Sequence, residues 1–309
     1  MKTLDSLKKE NINENKVKDN IINWSIFIFL SLVWGSSFKL MKIGMNEFSS
    51  YQVASLRIFS AGLFLLPLAL KNIKGIEKKE LLLIILSGMF GNYIPAYLFC
   101  IAETKIDSSL AGIINSLMPI FVIVIGRLFF NLNITKQKLI GVLIAFSGLS
   151  ALLASKGFSH ESNLFHIVLA IMATLLYGLN SNLIGSKLKN VSSIKIISLS
   201  SSILSIPCLF TLIYTGFFSN FSLEKEFLVS LTASCILGIF GTALASGLFY
   251  ILIKRAGSIF ASLVTNTMPI VAVFWGWTSG ESVSLLEVIC LFIILNGVYY
   301  TNANFNKRL

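Results

Sequence analysis

The chain alternates between long apolar runs and short polar breaks. Apolar segments recur at 24–42, 50–70, 80–101, 108–130, 137–154, 164–184, 193–215, 227–253, 258–278 and 284–302. Each is close to the roughly 20 residues that carry an α-helix across a hydrocarbon core. Their length, and the lack of ten-residue alternation, predicts helices rather than barrel strands. The pattern thus predicts an all-α integral membrane protein with ten transmembrane helices. Segment 137–154 is short, and 227–253 is long enough to include an interfacial turn. Residues 1–22 are polar, with no apolar stretch or cleavage site of a signal peptide. They are expected to form a disordered or surface-lying cytoplasmic tail, and 304–309 a second, short one.

Composition agrees with the pattern. Hydrophobic residues make up 55% of the chain and charged residues 13%, where soluble domains carry about 25% charged residues. The mean hydropathy is +0.81. The 25 Phe residues suit side chains that face lipid. A net charge of +11 raises the question of nucleic acid. The basic residues, however, sit between apolar runs and form no stripe for phosphates to follow, which excludes that partner. Their placement is instead topological. With the N-terminus inside, every Lys and Arg except Lys39, Lys42, Arg57, Lys105, Lys156 and Lys225 falls in the inner segments. This positive-inside bias predicts cytoplasmic termini and an even number of spans in a plasma (inner) membrane.

The chain also repeats itself. A shift of 150 residues lays Gly88-Met89-Phe90-Gly91 on Gly238-Ile239-Phe240-Gly241, and Leu98-Phe99 on Leu248-Phe249. It also lays Ser108 on Ser258, Ala111 on Ala261, Met118-Pro119-Ile120 on Met268-Pro269-Ile270, and Gly126 on Gly276. An ordered series of Gly and Pro matches at one offset is hard to obtain by chance. The halves are 23–155 and 163–303. Five helices in each is an odd number, so the second half is expected to run upside down relative to the first. Inverted repeats with a site between them are the mark of secondary carriers.

These stretches, with Trp34-Gly35-Ser36-Ser37-Phe38 and Lys42, Leu56-Arg57, and Gly280-Glu281, resemble the EamA-type branch of the drug/metabolite transporter superfamily. The resemblance covers nearly all of 24–302. It implies ten helices in two inverted five-helix repeats around a central cavity, and export of amino acids or other metabolites. The chain departs from the family pattern after its fourth helix, where Asn131 and Asn133 stand in place of an acid, and at Lys39.

Candidate site residues follow from the repeat. Pro119 and Pro269 lie near the middle of their segments, and each is expected to free the carbonyl four residues earlier, at Asn115 and Thr265. Such a break must face protein or a wet cavity, and these helices are expected to act as pivots or gates. Polar residues cluster there: Asn115 and Ser116 in one half, Thr265 and Asn266 in the other. The bland alternative is that they only satisfy the kinked backbone. Asn92, Tyr93 and Tyr97 match the depth of Thr242, Ala243 and Gly247, with Ser246 and Tyr250 nearby, and Trp34, Ser37, Tyr177 and Asn180 complete a ring. Aromatic walls with a few polar groups are typical of small-molecule cavities. Interfacial anchoring and helix packing are the competing readings.

The charges narrow the cargo. All 14 carboxylates fall in tails, loops or helix ends, so a cation exporter built on a buried acid is disfavoured. Lys39 and Arg57 are the in-membrane charges. Either they snorkel to headgroups, or they attract a carboxylate or hold an outer gate. Glu103 and Asp107 could titrate at an outer mouth. His160 and His166, placed in one outer loop, are too few for a metal, and Cys100, Cys208, Cys235 and Cys290 are isolated. No nucleotide, zinc or nucleophile motif appears, so neither cofactor nor enzymatic activity is expected. The expected partners are a small-molecule solute and the lipid bilayer, for a monomer or weak homodimer. A membrane enzyme acting on lipid, or a non-transporting receptor or scaffold, are the alternatives.

Overall fold

A computed structural model describes residues 4–106, 108–156, 164–278 and 284–302. Among these the chain is helical throughout, without strands. The first half comprises α1 (Leu4–Gly44), α2 (Ser50–Asn72), α3 (Lys78–Gly88), the π-helical turn π1 (Met89–Tyr93), α4 (Ile94–Ala102), α5 (Ser108–Asn115), α6 (Met118–Phe129) and α7 (Lys136–Lys156). The second comprises α8 (Leu164–Ser186), α9 (Ser193–Tyr214), α10 (Lys225–Ile236), π2 (Leu237–Leu244), α11 (Ala245–Ala256), α12 (Ser258–Ser262), α13 (Val264–Thr278) and α14 (Leu285–Asn302).

Six helical stretches among the described residues are long and apolar enough to cross a membrane: Val17–Gly44, Ser50–Asn72, Lys78–Ala102, Leu164–Ser186, Ser193–Tyr214 and Lys225–Ala256. Met118–Phe129, Ser258–Val271 and Val288–Thr301 are shorter apolar helices. Large apolar side chains such as Leu63, Phe64, Ile206 and Phe210 point outward, which water would penalise and lipid does not. The chain is a multi-pass membrane protein.

Local chemistry explains the element ends. Ser49 caps α2 by accepting from the Gln52 N–H at 3.3 Å, while the Gln52 side chain accepts from the Ser49 N–H at 2.9 Å. This reciprocal box satisfies two amides that would otherwise lack partners. Asn131, where the family resemblance leads one to expect an acid, adopts φ 50° just past α6. Asn tolerates that left-handed turn better than most residues, so here it ends a helix.

Three expectations change. The polar start is not set apart from the first span: α1 runs unbroken for 41 residues. At 1.5 Å per residue that is about 60 Å, roughly twice the thickness of a hydrocarbon core. No Gly or Pro interrupts residues 4–22, so the helix has nothing to stop it. Pro119 is not a mid-helix kink either. The helix has already broken at Ser116-Leu117, and Pro119 occupies the first turn of α6, where a missing N–H costs little. Pro269 does lie inside its helix, α13. Finally, Glu103 is not at an open mouth: it is fully buried at the end of α4, while Asp107 lies outside the described residues.

Contacts between the halves obey an exchange rule. α1 packs on α10, π2, α11 and α13, while α8 packs on α3, π1, α4, α5 and α6; α2 packs on π2 and α10, while α9 packs on π1 and α3. Swapping the halves turns each set into the other, apart from the contact of α8 with α5. The two remaining large interfaces pair counterparts, α2 with α9 and α7 with α14. Small residues let these backbones approach. A Cβ at Gly62 would lie 2.5 Å from Ser205 Cβ, and Ser202 Oγ donates to the Gly62 carbonyl at 3.0 Å.

Candidate functional site

A cavity of about 60 Å³ lies where the halves meet. A space of that size holds several waters or part of a small solute. α1 contributes Trp34, Ser37, Phe38 and Met41, which follow one another at helical spacing on a single face. α2 contributes Arg57, π1 contributes Gly91 and Asn92, and α4 contributes Phe99. Asn115 and Met118 border the break between α5 and α6. Tyr177 and Asn180 come from α8, Ser246, Phe249 and Tyr250 from α11, and Thr265 and Met268 from α13.

Bonds between the halves organise the polar part of this wall. The Tyr250 hydroxyl accepts from Asn92 Nδ2 and from Asn180 Nδ2, each at 3.3 Å. Two serines orient those amides: Ser246 Oγ donates to Asn92 Oδ1 at 2.9 Å, and Ser87 Oγ donates to Asn180 Oδ1 at 2.7 Å. Fixed in this way, the five groups form one buried network, which stiffens a site when its members are satisfied.

The two π-turns occupy the stretches that the 150-residue shift superposes; π1 lines the cavity, and π2 stands behind it, bonded to the wall residues Trp34 and Arg57. A π-turn widens the helix and disturbs the ordinary i→i−4 ladder. In π2, the Gly241 carbonyl accepts from Trp34 Nε1 at 2.8 Å, and the neighbouring Thr242 Oγ1 accepts from Arg57 Nε at 2.7 Å. Trp34 also stacks edge-on with Phe249 at 5.1 Å, and Phe99 lies parallel to Tyr177 at 6.0 Å. The wall is therefore mainly aromatic and thioether, with polar atoms at a few points.

The helix breaks meet beside the cavity. Ser116 Oγ donates to the Thr265 carbonyl at 2.9 Å, the carbonyl that Pro269 leaves without its helical donor. Asn115 Nδ2 contacts Met268 Sδ at 3.7 Å, while its Oδ1 is buried without a partner. Asn266 is fully buried but does not line the cavity, and its Nδ2 has no partner either. Ser31 and Thr267 share a hydroxyl bond of 2.5 Å on the same helix pair, α1 and α13.

Of the candidates from the sequence, Trp34, Ser37, Arg57, Asn92, Asn115, Tyr177, Asn180, Ser246, Tyr250 and Thr265 line the cavity. Thr242 and Ser116 stand one bond behind it. Tyr93 and Tyr97 turn away, toward α2 and α9: the Tyr97 hydroxyl bonds Ser55 Oγ at 2.7 Å and Cys208 Sγ at 3.8 Å. Lys39 is exposed and off the wall, whereas Arg57 is 8% exposed and does not snorkel. Sequence reasoning missed Phe38, Met41, Phe99, Met118, Phe249 and Met268. Their only signals were helical spacing from Trp34 and the matched Leu-Phe and Met-Pro pairs. Glu281 and His160 lie outside the described residues, and His166 is in the first turn of α8. Among the described residues no group of His, Cys, Asp and Glu could hold a metal ion.

The EamA-like transporter family matches the chain twice, over residues 22–154 and 164–303. PagO of Salmonella typhimurium is 27% identical over 89% of this chain and 91% of its own length. An uncharacterized transporter of Archaeoglobus fulgidus is 26% identical over 89% and 97%. The uncharacterized inner membrane transporter YedA of Escherichia coli is 23% identical over 87% of each. One crystal structure superposes with a TM-score of 0.67 at 16% identity, over 93% of this chain and 98% of that one. That likeness concerns the fold alone.

Proposed function

The chain belongs to the EamA-like transporter family, and on that premise we propose that it exports small metabolites such as amino acids by alternating access. The cavity between the halves is the solute site, and neutral, zwitterionic or anionic solutes are favoured over cations. The observation that carries this reading is that both halves build one polar-and-aromatic wall whose only charged group among the described residues is Arg57. A cationic solute would meet a like charge there, with no described carboxylate on the wall to offset it.

The proposed architecture is ten crossings in two inverted five-helix halves within the inner membrane, both termini cytoplasmic. Bonds between helix ends support it. Lys42 Nζ donates to the Glu103 carbonyl at 2.6 Å and Gln52 Nε2 to that of Thr215 at 3.2 Å, linking ends that alternate crossings would put on one face. Arg255 pairs with Asp19 at 2.6 Å and Lys195 with Glu80 at 2.8 Å, linking ends that belong on the other. The second face also gathers most basic residues, which orients it inward.

In this mechanism the halves rock about the shared interfaces of α2 with α9 and α7 with α14, opening the cavity to one side at a time. The breaks near Ser116 and Leu263 act as pivots. Relatives named as transporters support a carrier rather than an enzyme. Flux of radiolabelled amino acids, organic acids and nucleosides into proteoliposomes tests the reading. Saturable uptake of at least one is expected; folded protein that moves none of them contradicts it.

A further inference from the structure

Arg57 is the one charged side chain among the described residues of the cavity wall. It sits on α2 with 8% of its surface exposed, and residues of its kind are almost never so buried unless paired. Its Nε donates to Thr242 Oγ1 at 2.7 Å, and Tyr177 is its neighbour on the cavity wall. Both residues are neutral, and among the described residues no carboxylate forms a salt bridge with it. Glu103, buried at the end of α4, is absent from the cavity wall. A guanidinium carries five N–H donors in a planar fork, so the bond to Thr242 leaves donors for a further acceptor. The wall also carries the apolar side chains of Phe99, Met118, Phe249 and Met268.

We infer that Arg57 is the specificity-determining contact of the cavity, and that it binds the carboxylate of a small solute whose apolar tail lies against the Phe and Met wall. This rests on the carrier reading above. The planar fork matches a carboxylate through two parallel bonds, which a lysine cannot reproduce. With water excluded, the attraction is much stronger than at a surface. The solute thereby brings a negative charge to a wall whose described residues include no carboxylate. Asn115 Oδ1, buried and unpartnered on the same wall, accepts a donor hydrogen when the solute has one.

The test uses matched probes on the purified full chain: leucine against leucinamide, and 4-methylpentanoate against 4-methylpentanamide. Binding is read by thermal shift in detergent, and competition by uptake of labelled leucine in proteoliposomes. Wild type is expected to bind each carboxylate at least tenfold better than its amide. Arg57→Gln should abolish that preference while leaving amide binding within about twofold, and Arg57→Lys should fall between. A purely structural Arg57 would lower both members of each pair together, and an unchanged preference in folded Arg57→Gln overturns the inference. Should that variant fail to fold, wild type alone decides: amides that bind as well as the carboxylates overturn it. Carboxylate-selective binding without flux of any solute would retain the inference and reject the carrier reading.

Discussion

The Ser116 hydroxyl donates to the Thr265 carbonyl at 2.9 Å across the centre of the molecule. Pro269 cannot supply the amide that this carbonyl would otherwise receive, so the break in one half completes the broken helix of the other. Removing the hydroxyl leaves a buried acceptor unpaired. Ser116→Ala is expected to destabilise the protein by ~1–3 kcal/mol, seen as earlier thermal unfolding in detergent. Ser116→Thr, which keeps the hydroxyl, should recover most of the loss. Equal stability of the alanine variant and wild type would show that this bond contributes nothing.

Tyr250 offers a second point of attack. Its hydroxyl accepts from amides of both halves, and each amide is also held by a serine. Tyr250→Phe keeps the ring and removes the acceptor, freeing two amides to turn within the site. Uptake of the transported solute should drop about tenfold, equivalent to ~1.4 kcal/mol of lost interaction. Ser246→Ala loosens only one amide and should cost less. The reverse order in proteoliposome uptake rates would contradict this hierarchy.

Trp34 separates packing from hydrogen bonding. Trp34→Phe preserves an aromatic ring near Phe249 but deletes the donor to the Gly241 carbonyl in π2. A carbonyl in a π-turn is poorly served by its own helix, so the bond holds the wider turn in place. The variant should lose about 1 kcal/mol of stability and show faster amide hydrogen exchange in 237–244 than in 89–93. Exchange that rises equally in both segments would mean that the bond does not act locally.

The α2–α9 interface makes a steric prediction. Gly62→Ala places a methyl group 2.5 Å from Ser205 Cβ and 2.6 Å from the Ser201 carbonyl. Overpacking of this kind typically costs about 1–3 kcal/mol. Thermal unfolding should shift down, and Ser205→Gly in the same chain should restore part of the loss. A neutral Gly62→Ala would indicate that the two helices can separate freely.

Much of this was legible in the sequence because membrane burial leaves a coarse signal. Hydropathy marks the apolar stretches to within a few residues, and the repeat offset points to Asn92 and to the matched pair Asn115 and Thr265 on the cavity wall. Where matched residues behave differently, the pattern fails. Met118-Pro119 and Met268-Pro269 read alike, yet one proline begins a helix and the other lies within one, because the first chain breaks two residues before its proline. Neither π-turn has a compositional mark, since one extra residue per turn changes hydrogen-bond register and not residue type. Tyr97 shares a helix with the cavity-lining Phe99, but Ser55 and Cys208 offer its hydroxyl partners on the other side. Arg57 could have reached for headgroups, and the sequence does not show that Thr242 of the other half is waiting for it.

In the proposed mechanism one cavity between the halves serves both faces of the membrane. A single cysteine at Ser37, in a chain whose Cys100, Cys208, Cys235 and Cys290 have been replaced, can be offered an impermeant maleimide from either side of oriented vesicles. An adduct is expected from each side in separate experiments, with both reactions slowed by saturating transported solute. Labelling from one face only, in protein that still transports, would contradict it.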